Sequence, residues 1–172
     1  MAHHERPYGG GENTLRPLSC ELGTLKNCDG SAEWKSGHTS VLAAVHGLAP
    51  RLSQYEDSKA VVSVVIKSGV ATKTYEREWE AFLTRQLSSC IITEHYSRTV
   101  ISVILQILNA DGSVLAACLH ATLSALMDAG IDLRMLPTAV TCFIDTSIIR
   151  LDPVADEDEQ AIVLVFDNNA KL

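Results

Sequence analysis

The run Thr99-Val-Ile-Ser-Val-Ile-Leu-Gln-Ile-Leu108, then Asn109-Ala-Asp-Gly112, then Ser113-Val-Leu-Ala-Ala-Cys-Leu-His-Ala-Thr-Leu-Ser-Ala-Leu-Met-Asp-Ala129, decides the fold. Eight of the first ten residues are β-branched or aliphatic, and the run reads as a strand. The next four are turn residues. Beyond them Leu115, Cys118, Leu119, Thr122, Leu123 and Leu126 recur at helical spacing within an almost wholly apolar segment. A helix that is apolar all round is buried on most sides, and Gly130 supplies its stop.

Upstream, Leu18–Thr24, Ser31–Lys35, Ser40–His46 and Ala60–Lys67 read as strands, divided by the turns at Asn27–Gly30 and Gly37–Thr39. These predict an antiparallel N-terminal block with short loops. Tyr75, Trp79, Phe82, Leu83 and Leu87 then form the stripe of an amphipathic helix, with Thr74 as its cap and Glu76, Glu78 and Glu80 near its positive end. Lys73 and Arg77 share a face of that helix away from the stripe. Downstream, Thr138–Asp145, Ile148–Leu151 and Ala161–Phe166 are further strands. Strands, helix, strand, helix, strands is the order of an α+β domain with helices packed on sheets. Residues 1–16 read as a flexible lead-in and 17–172 as one domain. Because Leu172 closely follows a strand, we expect a C-terminal element that this chain lacks.

The 172 residues carry 14 Lys and Arg against 21 Asp and Glu, a net charge of −7. That balance argues against a general coat for nucleic acid. The excess is local, however. Asp152, Asp156, Glu157, Asp158, Glu159 and Asp167 lie in a stretch without Lys or Arg, and the rest of the chain is near neutral. The five cysteines are an odd number at wide spacing, with no CxxC, so neither a closed metal site nor a disulfide framework is expected. Cys118 and Cys142 read as small buried hydrophobes. No apolar stretch has membrane-spanning length, and no membrane association is expected.

Asp29-Gly-Ser-Ala32 and Gly37-His-Thr-Ser-Val-Leu-Ala-Ala-Val-His-Gly47 resemble the signature of the RNase PH family. So do Leu105-Gln106, Asp111-Gly112, Ala116-Ala117 and Ala125-Leu126 with Asp128-Ala-Gly-Ile131. Within that family the chain is most similar to the ring subunits of the eukaryotic exosome. The resemblance implies a two-sheet α+β fold like domain 2 of ribosomal protein S5. It also implies a ring of RNase PH-like subunits as partners, RNA as ligand, and a place in the nucleus, nucleolus included, and in the cytoplasm. Produced alone, the chain is expected to be able to pair with itself.

Active members of the family release nucleoside diphosphates from the 3′ end of RNA by phosphorolysis. Their phosphate-binding Arg lies just after the Asp-Gly turn, where this chain has Leu115. Their catalytic Asp falls near Gln160. The resemblance therefore implies a non-catalytic subunit without a cofactor. It also implies RNA contact, without base readout, at Arg51, which comes after the His46–Pro50 turn, and at Lys67, Lys73, Arg77 and Arg98, which flank the first helix.

Two alternatives stand beside this reading. Asp156 and Asp158 could hold Mg²⁺ for hydrolysis of RNA or DNA, with Glu159 and Gln160 at the catalytic position, in a homodimer. A charge run on a hairpin is more often a solvated face. The other alternative is a scaffold that never touches nucleic acid. His38 and His46 lack a readable nucleophile partner and are expected to be structural, and Trp34 and Trp79 to be core or interface anchors.

Overall fold

In the computed structural model, which describes residues 15–50, 59–69, 76–144, 149–153 and 161–166, burial alternates along Thr99–Asn109. Ile101, Val103, Leu105 and Ile107 are sealed off while their neighbours are half-exposed. That strand, β5, is flanked by the rest of a five-stranded sheet: β1 (Leu18–Leu22), β2 (Gly30–Ser36), β3 (Thr39–Pro50) and β4 (Val61–Ser68), in the order β1-β2-β3-β5-β4. A second sheet has the order β7-β6-β8, from β6 (Thr138–Ile144), β7 (Ile149–Leu151) and β8 (Ala161–Phe166). The helices are α1 (Glu76–Cys90) and α2 (Val114–Asp128), and a short 3₁₀ turn covers Thr93–Tyr96. The architecture is the expected α+β one.

One expectation is corrected. The fourth strand does not belong to an antiparallel block. β4 pairs with β5 in parallel, Val64 beside Val103 and Ile66 beside Leu105. The cause is α1, which runs back from the end of β4 to the start of β5, and a crossover of that kind makes the two strands parallel. Leu83 and Leu87 of α1 are fully buried, and Trp79 and Phe82 pack half-buried against the same core, as the stripe predicted.

The apolar α2 lies between the two sheets. It touches β1, β2, β3 and β5 on one side and β6 on the other, so Ala117, Leu119, Ala121, Ala125 and Leu126 are all buried. It ends in the expected glycine stop. Gly130 takes φ +68°, its N–H bonds the Met127 carbonyl and the Ile131 N–H bonds the Leu126 carbonyl.

The end of α2 is docked onto the start of β2. The Asp128 carboxylate accepts from the Ser31 N–H at 2.9 Å, and the Asp29 carboxylate accepts from the Gly47 N–H at 2.7 Å. A Cβ at Gly30 would overlap the Ala129 nitrogen and the Ala125 carbonyl. The helix therefore approaches this strand as closely as glycine permits.

All five cysteines are free thiols. Cys118 and Cys142 are buried as expected, Cys90 is buried as well, and Cys20 is exposed. Among the described residues no helix is long and apolar enough to cross a membrane.

Gly30 and Gly23 separate two reasons for glycine. Gly30→Ala must push α2 away, and overpacking of that kind costs about 3 kcal/mol. Gly23 has φ +65° and open space around it, so Gly23→Ala carries only the left-handed penalty of about 1 kcal/mol. Urea unfolding of both variants checks the order, and equal losses would contradict the close approach.

Candidate functional site

The turn between β5 and α2 is pinned by side chains from three remote segments. The Thr39 hydroxyl accepts from the Asp111 N–H at 3.0 Å and donates to the Gly112 carbonyl at 2.8 Å. The Asn109 amide donates to the His38 carbonyl at 2.7 Å. Ser113, buried and left-handed at φ +54°, leads into the helix.

Arg16 closes the site from the other side. It is the last residue of the expected lead-in, yet it is only 6% exposed. Its Nε donates to Asp152 Oδ2 at 2.8 Å and its Nη2 to Asp152 Oδ1 at 2.5 Å, a bidentate pair. The same guanidinium donates to the carbonyls of Asp111 and Gly112. Asp152 sits at the end of β7 with φ +57°, and its own N–H bonds the Thr141 carbonyl at 2.8 Å. Burial pushes the Asp152 carboxyl up. Hydrogen bonds from Arg16 and Ser113, together with the Arg16 charge, outweigh this and hold it below its ordinary value.

A small cleft of about 120 Å³ opens beside this pair, lined by Leu15, Leu18, Trp34, His120 and Thr141 among others. The His120 Nε2 accepts from the Ala139 N–H at 3.1 Å, and burial lowers the pKa of its imidazole, so the ring is neutral. Trp34 packs against that ring with centroids 4.9 Å apart, in keeping with its reading as a core anchor. Burial pushes the Cys118 thiol up to about 12, which makes it inert as a nucleophile.

The expected basic residues divide between the two ends of the large sheet. Lys67 is exposed near the end of β4, beside Gln106. Arg77 is exposed in the first turn of α1. Glu80 of that helix accepts from the Ile66 N–H at 2.8 Å, which keeps the start of α1 beside the end of β4. Lys67, Arg77 and the start of α2 therefore share one end of the sheet. Arg98 is exposed and left-handed at φ +62°, just before β5, at the opposite end. It is separated from Lys67 by roughly 26 Å at the ordinary rise of a strand.

Leu115, in the first turn of α2, packs half-buried against the core. Arg51, Lys73, Asp156, Asp158, Glu159 and Gln160 lie outside the described residues. Among the described residues no three His, Cys, Asp or Glu side chains are grouped to hold a metal. His38 and His46 are exposed. Sequence reasoning missed Arg16 and Asp152, whose sole local signal is an Arg-Pro step just before the first strand.

Comparison with known proteins agrees with this fold. The family model of RNase PH, the 3′ exoribonuclease family, domain 1, matches residues 14–132. An exosome complex exonuclease RRP46 homolog of Arabidopsis thaliana is 37% identical over 172 residues, covering 95% of this chain and 71% of that protein. The homolog from Oryza sativa subsp. japonica is 40% identical over 174 residues, covering 96% and 72%. The crystal structure of rice Rrp46 superposes with a TM-score of 0.88 at 36% identity, covering 97% of this chain and 81% of that one. An Archaeoglobus fulgidus exosome with RNA bound to the active site shares the fold, with a TM-score of 0.78 at 19% identity over 98% of this chain and 84% of that one.

Arg16→Met leaves a buried carboxylate without its cation, a loss of about 4 kcal/mol. The double variant Arg16→Met, Asp152→Asn removes the unpaired charge, keeps a residue suited to the left-handed backbone, and is expected to recover part of it. Because the folded carboxyl is depressed, the stability it supplies is present above the ordinary value of 3.8 and is lost as pH falls below it. Thermal melts of the wild type and Asp152→Asn between pH 3 and pH 7 check this, and melting curves that diverge only at low pH would contradict it.

Proposed function

This chain belongs to the RNase PH family of 3′ exoribonucleases, and we propose that it acts there as a non-catalytic ring subunit of the RNA exosome. It contributes to assembly and to RNA binding in 3′-to-5′ RNA processing and degradation. The observation that carries the reading is the start of α2. Phosphorolysis needs a cation free to hold the attacking phosphate. The position after the Asp-Gly turn is the apolar Leu115, and the nearby Arg16 already holds Asp152 and two carbonyls. A charge-assisted bond contributes about 1.5–3 kcal/mol, so its loss alone costs one to two orders of magnitude in rate, since about 1.4 kcal/mol is tenfold.

The partners in this reading are other RNase PH-like exosome subunits and single-stranded RNA. Lys67 and Arg77 contact phosphates at the α2 end of the sheet and Arg98 at the opposite end, with Arg51 and Lys73 as further contacts. Such contacts bind the backbone and read no bases. The reading calls for no cofactor, and it places the protein in the nucleus, the nucleolus included, and in the cytoplasm. No observation favours the Mg²⁺-dependent hydrolysis that Asp156, Asp158, Glu159 and Gln160 would serve, on RNA or on DNA.

Labelled single-stranded RNA incubated with the chain and phosphate is expected to stay intact. Release of nucleoside diphosphates would overturn the non-catalytic reading. In a salt titration, Lys67→Ala and Arg77→Ala should each reduce the log–log slope of binding by about 0.7. Absence of binding even at low salt would leave a pure scaffold.

A further inference from the structure

β6 is the middle strand of the smaller sheet, yet one side of it is only partly covered. β8 pairs with it along Thr138–Phe143, whereas β7 reaches it only at Cys142–Ile144. The Thr141 carbonyl accepts from the Asp152 N–H at 2.8 Å just beyond β7, so the odd-numbered residues of β6 point to that side. The Ala139 N–H therefore points past the end of the strand that would have accepted it. Ala139 is 4% exposed, and a buried donor without an acceptor is strongly disfavoured. The acceptor comes from α2 instead: His120 Nε2 takes this N–H at 3.1 Å. An imidazole thus stands in for the missing strand.

The chemistry of that contact is set by which nitrogen accepts. Nε2 can accept only without a proton, so the single proton of the neutral ring is on Nδ1. A second proton has one place to go, and that is Nε2 itself. Protonation therefore removes the acceptor and sets one N–H against another. The surroundings offer the new charge nothing. Trp34 of β2 packs on the ring. Around the same cleft, Leu15 and Leu18 on the β1 side, Ala116 and Ala117 of α2 and Thr138–Thr141 of β6 are uncharged. Asp152 is the one charged side chain on the cleft wall among the described residues, and it is committed to Arg16. An imidazolium here gains hydration only if the cleft opens.

We propose that His120 is an acid-released latch between α2 and the smaller sheet: a proton at Nε2 frees the Ala139 end of β6 and opens the cleft, while the Arg16–Asp152 pair holds the other end. The two contacts release at different acidities. Burial lowers the pKa of the His120 imidazole. Its contact is therefore at full strength above the ordinary value of 6.5 and weakens as pH falls from there toward the lowered value. The Asp152 carboxyl is held below its ordinary value of 3.8, so the ion pair weakens only as pH falls below 3.8. Between these ranges one polar contact is open and the other closed. β6 and β8 move as a unit, because the hydrogen bonds between them join backbone groups that do not titrate. The proposal does not rest on the RNA reading.

Nuclear magnetic resonance on the purified chain tests it. At neutral pH the His120 ring should carry its proton on Nδ1, and it should titrate below 6.5. Amide exchange, corrected for the intrinsic effect of pH, should show the protection of Ala139 beginning to fall near 6.5 and levelling off where the ring titrates. The slope between is up to about tenfold per pH unit, that of one bound proton. Val140 and Cys142, whose N–H groups face β8, should keep their protection. His120→Gln supplies a side-chain carbonyl that accepts and does not titrate, so the protection of Ala139 should no longer change over this range. A ring that titrates at or above 6.5 overturns the proposal, and so does protection of Ala139 that stays level as the ring is protonated. Wild-type pH dependence kept by His120→Gln overturns it as well. Where that variant does not fold, the two wild-type measurements decide alone.

Discussion

A guanidinium buried against a carboxylate is tolerated only where nearly all of its hydrogen-bonding groups are satisfied, and Arg16 and Asp152 meet that demand by drawing three distant segments to one point. The pair joins the residue before β1, the turn that opens α2, and the end of β7. Through Asp152 it also reaches β6, whose Thr141 carbonyl accepts from the same residue. The orientation of α2 between the sheets therefore depends on two anchors. One is this ion pair at its start. The other is the glycine contact and the Asp128 carboxylate at its end.

The residues by which the family is known from sequence have structural work in this chain. Asp29 fixes the Gly47 N–H, Gly30 lets the helix approach, Ser31 receives Asp128, and Thr39 holds the Asp-Gly turn. None of them needs a substrate to explain it. The signature thus describes how α2 is seated, whereas in the proposed reading the chemistry turns on a side chain in the first turn of the helix. With Leu115 there, the seat is kept, and in the proposed reading the phosphate anchor is absent. A fold can retain its architecture after its catalytic groups change, because the two are set by different residues.

Much of the fold is legible in the sequence, for reasons of period. β5 alternates because one of its faces is buried, α2 is apolar all round because it lies between sheets, and the stripe of α1 is the side that meets β4. The parallel pairing of β4 is implicit in the order of strand, helix and strand, but local β character carries no direction, and short loops upstream favour an antiparallel block. The Arg16–Asp152 pair is not legible. Its partners lie 136 positions apart, and such a contact leaves no period in either segment. Asp152 is further hidden as the first member of an acidic run that reads as a solvated face, whereas this carboxylate is buried.

The two edges of the large sheet are not equivalent. At β4 the Ile66 N–H is occupied by Glu80 from a helix of the same chain, while β1 carries no such cover among the described residues. A sheet that can add a strand at either side is able to grow without limit, as fibrils do. A sheet with a single receptive side is a chain terminator: once that side is filled, nothing is left to propagate. Glu80 therefore obstructs edge-to-edge growth at the Ile66 end of β4, so a neighbour at β1 would meet a sheet less able to pass the pairing on.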